Sequence, residues 1–95
     1  MKEVEWTELA LKHISLIWDY IAADSVFYAD KVTDGIIAAT ERLSDFSQMG
    51  RIVPEINKKN VREIFYASYR IMYEIRSDGV YITQIIHGAM DFKGE

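Results

Sequence analysis

A change of hydrophobic period near mid-chain constrains the fold more than any other feature of this sequence. In residues 1–50 apolar side chains recur at steps of three and four, the spacing of one helix face; from Val61 onward they alternate, the spacing of a strand. Ala10, Ile14, Ile17 and Ile21 form one such stripe, and Ala29, Val32, Ile36, Ala39 and Leu43 form a second. Thr7 is placed to cap the first helix, because its hydroxyl can accept from an orphan N–H of the first turn. Asp24-Ser25 interrupts the pattern and offers the second cap. Glu8 and Lys12 make a favourable i, i+4 pair. Gly35 inside the second helix costs about 1 kcal/mol relative to alanine and reads as a place for close packing. So short a break between the helices predicts an antiparallel hairpin. Ahead of it, Val4-Glu5-Trp6 reads as a short strand.

The second half reads as sheet. Met49 to Asn60 is expected to be a loop, with Gly50, Pro54 and the polar run Asn57-Lys58-Lys59-Asn60. Val61 to Ala67 is the first strand, followed by a turn near Ser68. Tyr69 to Arg76 is the second, where Ile71, Tyr73 and Ile75 alternate with Arg70, Met72, Glu74 and Arg76. Ser77-Asp78-Gly79 is expected to be a tight turn in which Asp-Gly supplies positive φ, and Val80 to His87 is the third strand. The predicted fold is α+β: an N-terminal strand and an α-helical hairpin packed on an antiparallel β-meander, one domain over residues 1–95. Apolar Phe65, Tyr66, Met72 and Ile85 are expected to leave a groove along helices and sheet that an amphipathic partner segment fills.

Charge and composition narrow the function. With 11 basic and 15 acidic residues the net charge is −4, which argues against a protein that coats nucleic acid. The charge is uneven: residues 1–50 hold four basic and nine acidic side chains, residues 51–95 seven and six. Cysteine is absent, so disulfides and thiolate metal sites are excluded, in keeping with a reducing cytoplasm. No apolar run approaches the length of a membrane span. The segment Met1–Glu8 carries three glutamates and does not read as a secretory signal.

Thr7 to Ile21, Met49-Gly50-Arg51, Val53-Pro54-Glu55, Arg62-Glu63, Tyr69-Arg70-Ile71-Met72-Tyr73 and Ile86-His87-Gly88-Ala89 follow one another in order. No one of these motifs is specific alone. The ordered set resembles the RelE/ParE superfamily of toxins from type II toxin–antitoxin modules, most closely the ParE or plasmid-stabilisation branch, over essentially the whole chain. The resemblance implies a cytoplasmic toxin neutralised by a cognate antitoxin in a hetero-oligomer. RelE-like members cleave mRNA on the ribosome; ParE-like members poison DNA gyrase without being enzymes. No cofactor and no metal is implied.

Metal-free RNA cleavage needs an acid, a base and cations for the charge developing on phosphate. Arg70 matches the superfamily's strand arginine and His87 the histidine of its "His-Gly-Ala-Arg" ending; they are the catalytic candidates if the chain is a nuclease. The plainer readings are a strand arginine paired with Glu63 or Glu74, and a histidine that fixes the last strand. Arg51 and Arg62 also match family positions and are candidates for partner or phosphate contact, against the plainer reading that they tie a loop to the sheet. His13 reads as structural, and two histidines in distant elements make a poor metal site. Three departures favour the ParE branch. Met90 stands where many members carry an arginine, the C-terminal tyrosine or histidine that several RelE-like nucleases use has no counterpart after Tyr81, and the chain is acidic where ribosome-dependent members are basic. The expectation is a gyrase-directed toxin; the alternative is a ribosome-dependent mRNA endoribonuclease.

Overall fold

The structure, a computed structural model, describes residues 2–87; Met90 and the C-terminal positions weighed above lie outside the described residues. The elements run β1 (Val4–Trp6), α1 (Glu8–Ala22), α2 (Val26–Glu41), a 3-10 turn (Arg42–Ser44), β2 (Arg51–Ile52), β3 (Val61–Tyr66), β4 (Tyr69–Arg76) and β5 (Gly79–His87). The five strands form one sheet in the order β1-β5-β4-β3-β2. β1 lies parallel to β5 and the other neighbours are antiparallel. The expected meander is therefore the β3-β4-β5 centre of a mixed sheet. The two-residue β2, inside the expected loop, was not readable from alternation.

Both caps form as the residue types dictate. Thr7 Oγ1 accepts from the Ala10 N–H at 3.3 Å and donates to the Ile82 carbonyl at 2.8 Å, so one hydroxyl starts α1 and fastens it to β5. Ser25 Oγ accepts from the Tyr28 N–H at 3.1 Å and starts α2. The helices lie on one face of the sheet. Ala10, Val32, Ile36 and Leu43 meet Ile64, Ile71, Tyr73, Val80, Ile82 and Ile85 in a single core, with Ile14, Ile17, Ile21 and Ala39 packed against it. Gly35 is where α2 crosses Tyr66: a Cβ there would sit 2.1 Å from the Tyr66 ring, so only glycine lets the helix rest on that ring.

Two turns differ from expectation. β3 ends at Tyr66, and Ala67 turns into the left-handed region at φ 51°. Gly79 does not adopt positive φ; it pairs with Arg76 as the first residue of β5. Its role is close approach, since a Cβ there would lie 2.9 Å from the Glu3 carbonyl, which accepts from the Val80 N–H at 2.8 Å. Glycine thus lets β1 dock on β5.

A β-bulge sets the faces of β5. Met72 pairs with Gln84 and Tyr73 with Ile82, so Thr83 is extra, and its hydroxyl donates to the Met72 carbonyl at 3.2 Å. Before the bulge Val80 and Ile82 face the helices; after it Ile85 and His87 do. Met72 and Ile85 are buried, at 1% and 3% exposure, and Tyr66 is half-buried against Gly35. Of the four residues expected to line a groove along helices and sheet, Ile85 lines one beside α1, Met72 and Tyr66 are used inside the fold, and Phe65 stays exposed elsewhere.

Candidate functional site

The outer face of the sheet carries a chain of alternating charges. β3 and β2 pair Glu63 with Arg51, and β3 and β4 pair Phe65 with Arg70, which places Glu63 diagonally beside Arg70. The Glu63 side chain is wholly buried. Its Oε1 accepts from Arg70 Nε at 2.6 Å and its Oε2 from Arg51 Nε at 2.6 Å. The rest of the Arg70 fork faces Glu55: Nη1 donates to Oε2 at 3.0 Å and Nη2 to Oε1 at 2.9 Å. Such bidentate pairing is the strongest geometry available to a guanidinium and a carboxylate. It draws the 53–60 loop onto the sheet.

The electrostatics follow from that geometry. Hydrogen bonds from Arg70 hold the Glu55 carboxyl well below the usual range, at about 2. Arg70 is held more firmly protonated, chiefly by Glu55 and then by Glu63. Two cations and two carboxylates close the chain at zero net charge. Arg70, with 9% of its side chain exposed, makes Nε, Nη1 and Nη2 contacts to carboxylates. Arg51 is different: its side chain is 57% exposed and its guanidinium lies 5.1 Å over the Phe65 ring.

Arg62 ties a loop to the sheet. Its Nε donates to the Lys59 carbonyl at 2.9 Å, and its Nη1 to the carbonyls of Gly50 at 2.9 Å and Gln48 at 3.4 Å. Tyr73, opposite it on β4, completes the clamp: its hydroxyl donates to the Ser47 carbonyl at 2.7 Å and accepts from the Gly50 N–H at 3.0 Å.

His87 lies on the other face. It pairs with Tyr69, and the rings meet edge to face with centroids 5.5 Å apart. Both line a groove of about 490 Å³ beside α1, together with His13, Leu16 and Tyr20. His13 Nδ1 accepts from the Ile85 N–H at 3.1 Å. Burial, and then the neighbouring Lys12 charge, push its pKa below the ordinary value of 6.5. Of the four candidates, the structure brings Arg51 and Arg70 together on one shared carboxylate. It places Arg62 at the loop clamp and His87 across the sheet. Sequence reasoning missed Glu55 as a partner of Arg70, since a loop residue 15 positions away obeys no periodicity. Glu74, the alternative partner, pairs with Arg76 instead. Among the described residues no group of three metal-ligating side chains comes together, and no helix is long and apolar enough to cross a membrane.

Comparison with known proteins agrees with this architecture. A solved chain described as "Chromosomal ParDE TA system from P. aeruginosa" superposes with a TM-score of 0.75 at 19% identity, over 92% of this chain and 96% of that one. At that identity the likeness is one of fold. Among curated proteins none matches. The family described as "ParE toxin of type II toxin-antitoxin system, parDE" matches residues 4–92, nearly the whole sequence. The chain belongs to the ParE toxin family.

Proposed function

We propose that this toxin acts by binding rather than by chemistry: it grips and poisons DNA gyrase in the cytoplasm, and a cognate antitoxin silences it in a hetero-oligomer. The observation that carries this reading is the charge chain Arg51–Glu63–Arg70–Glu55. In a nuclease the strand arginine would have to meet the phosphate. Here Arg70 is engaged by two carboxylates, and the histidine that would move the proton faces the opposite side of the sheet. A phosphate arriving at Arg70 would have to displace Glu55, whose charge also repels it. The family match supports the antitoxin, and the similar fold in a ParDE system supports the same pairing.

Arg51 is the partner contact we favour among the four sequence candidates. Arginine and aromatic side chains are enriched at protein interfaces, and here the half-exposed Arg51 guanidinium lies over the exposed Phe65 ring. Arg62 then serves by holding the 47–50 loop in place beside it. The test is gyrase-dependent supercoiling with the purified chain, with and without the antitoxin encoded beside it. Inhibition with trapped cleaved DNA, relieved by the antitoxin, is the expected result. Unimpaired gyrase together with codon-positioned 5′ ends on mRNA after induction would move the assignment to the ribosome-dependent nuclease.

A further inference from the structure

The groove beside α1 is lined unlike the rest of this acidic chain. Its walls are Leu16, Ile17 and Ile85 with the rings of His13, Tyr20 and Tyr69, around a space of about 490 Å³. No aspartate or glutamate lines it among the described residues, although the chain holds 15 of them and a net charge of −4. Its polar groups are placed as donors. His13 Nδ1 accepts from the Ile85 N–H at 3.1 Å, so in the neutral ring the proton sits on Nε2. The charge that acts on His13 is the cation of Lys12. The Tyr69 hydroxyl keeps its proton at neutral pH, because burial and then Tyr20 push its pKa above the ordinary 10.0. Neither His13 Nε2 nor the Tyr69 hydroxyl meets a hydrogen-bond partner among the described residues.

We infer that this groove binds a small aromatic carboxylate, its ring against Leu16, Ile17 and Ile85 and its carboxylate on the donors of His13 and Tyr69. An apolar hollow of this size with a few polar groups is the form of a small-molecule site. The surroundings select the sign of the ligand: two donors without acceptors, a lysine charge beside one of them and no acid in the walls favour an anion. A metal ion is excluded at His13 by the same geometry. It would need the Nε2 lone pair, and moving the proton to Nδ1 would set it against the Ile85 N–H. The groove lies across the sheet from Arg51 and Phe65, so the inference goes beyond the gyrase reading and does not rest on it.

The test uses the full chain, with nitrogen-15 histidine and carbon-13 leucine methyls, at neutral pH. Its two probes share one shape: 2-naphthoate and the neutral 2-naphthamide. Naphthoate is expected to shift the Leu16 methyl and His13 Nε2 signals to saturation. It is expected to bind at least tenfold tighter than the amide, with the preference shrinking as salt rises. Tyr69→Phe keeps the ring and removes the hydroxyl, and is expected to weaken naphthoate about tenfold, as losing a hydrogen bond to a charged group does. Leu16→Glu, with the helical circular dichroism unchanged, is expected to weaken it at least as much. Equal binding of acid and amide, no shift at Leu16 and His13, indifference to either variant, a His13 proton on Nδ1, or Leu16 methyls already in contact with Met90 or Phe92 in the free chain would each overturn the proposal. Gyrase takes no part in these measurements, so their failure leaves the supercoiling result standing.

Discussion

His87 faces Tyr69 across β4 and β5 on the helix-covered side of the sheet, while Arg70, the next residue after Tyr69, points to the outer side. Two side chains on opposite faces of one sheet do not converge on one phosphate. The cause is Thr83. Unbroken alternation from Val80 would carry His87 to the face of Arg70, but the extra residue of the bulge reverses the phase of Gln84–His87. The same reversal buries Ile85 against Ile71 and closes the core at that end.

Arg70 is predicted to matter first for stability. Arg70→Ala strips the buried Glu63 carboxylate of one of its two donors and frees the 53–60 loop from the sheet. Breaking a buried ion pair by removing one partner costs roughly 3–5 kcal/mol. The lower end is expected here, because Arg51 still donates to Glu63. Arg51→Ala also removes one donor from Glu63 but leaves the bidentate Arg70–Glu55 pair and the loop in place, so it is expected to cost less than Arg70→Ala. Urea unfolding of both variants checks the ordering. An Arg70→Ala midpoint equal to the wild type, with toxicity lost, would return Arg70 to the functional residues.

Glu55 predicts an acid-sensitive loop. Its folded pKa, about 2, lies below the 4.5 of an unperturbed glutamate. A depressed carboxyl stabilises the fold above the unfolded value and loses that contribution as pH falls towards the folded one. Stability should therefore drop between about pH 4.5 and pH 2 in excess of other carboxylates, and Glu55→Gln should flatten that part of the profile. Thermal unfolding at stepped pH is the measurement. A variant with the wild-type slope would show that the Glu55 pairing adds nothing in solution.

His13 predicts a second pH dependence nearer neutrality. Its Nδ1 must be unprotonated to accept from the Ile85 N–H, and its pKa in the fold lies below 6.5. The unfolded chain therefore takes up the proton first. The contribution is complete above the unfolded value and is lost as pH falls through the folded one. His13→Phe should remove this slope and, at neutral pH, leave the Ile85 N–H without its acceptor at a cost of about 1–3 kcal/mol. Nitrogen-15 chemical shifts of the imidazole across pH, beside unfolding midpoints, test both halves. A His13 that titrates at or above 6.5 would contradict the arrangement.

Much of this architecture is legible in the residues. Thr7 and Ser25 announce their caps, and the stripes from Ala10 to Ile21 and from Ala29 to Leu43 face the core as their spacing dictates. What is not legible depends on partners distant in sequence. β2 has two residues and no period to detect. Gly79 is glycine because Glu3 approaches it, and Glu3 lies at the other end of the chain. Thr83 has the composition of an ordinary strand residue, and only its pairing shows that it is extra. At the candidate site Arg70 and Glu63 are readable as cross-strand neighbours, but the second hold on Arg70 comes from Glu55 on an irregular loop.

Gly35 supplies the last prediction, because its sign is unusual. In an exposed helix interior, replacing glycine by alanine stabilises by about 1 kcal/mol, since alanine gives up less backbone entropy. At Gly35 the new methyl would lie 2.1 Å from the Tyr66 ring, which is held between α2 and β3. Either the ring leaves its place or the helix lifts from the sheet, and overpacking of this kind costs roughly 1–3 kcal/mol. Gly35→Ala is therefore expected to destabilise despite the better helix former. Cutting the ring away should reverse the sign: in a Tyr66→Ala background, itself less stable, Gly35→Ala is expected to raise stability by about 1 kcal/mol. A double-mutant cycle by urea unfolding reads the coupling directly. Gly35→Ala that stabilises the wild type would mean that α2 does not rest on Tyr66 in solution.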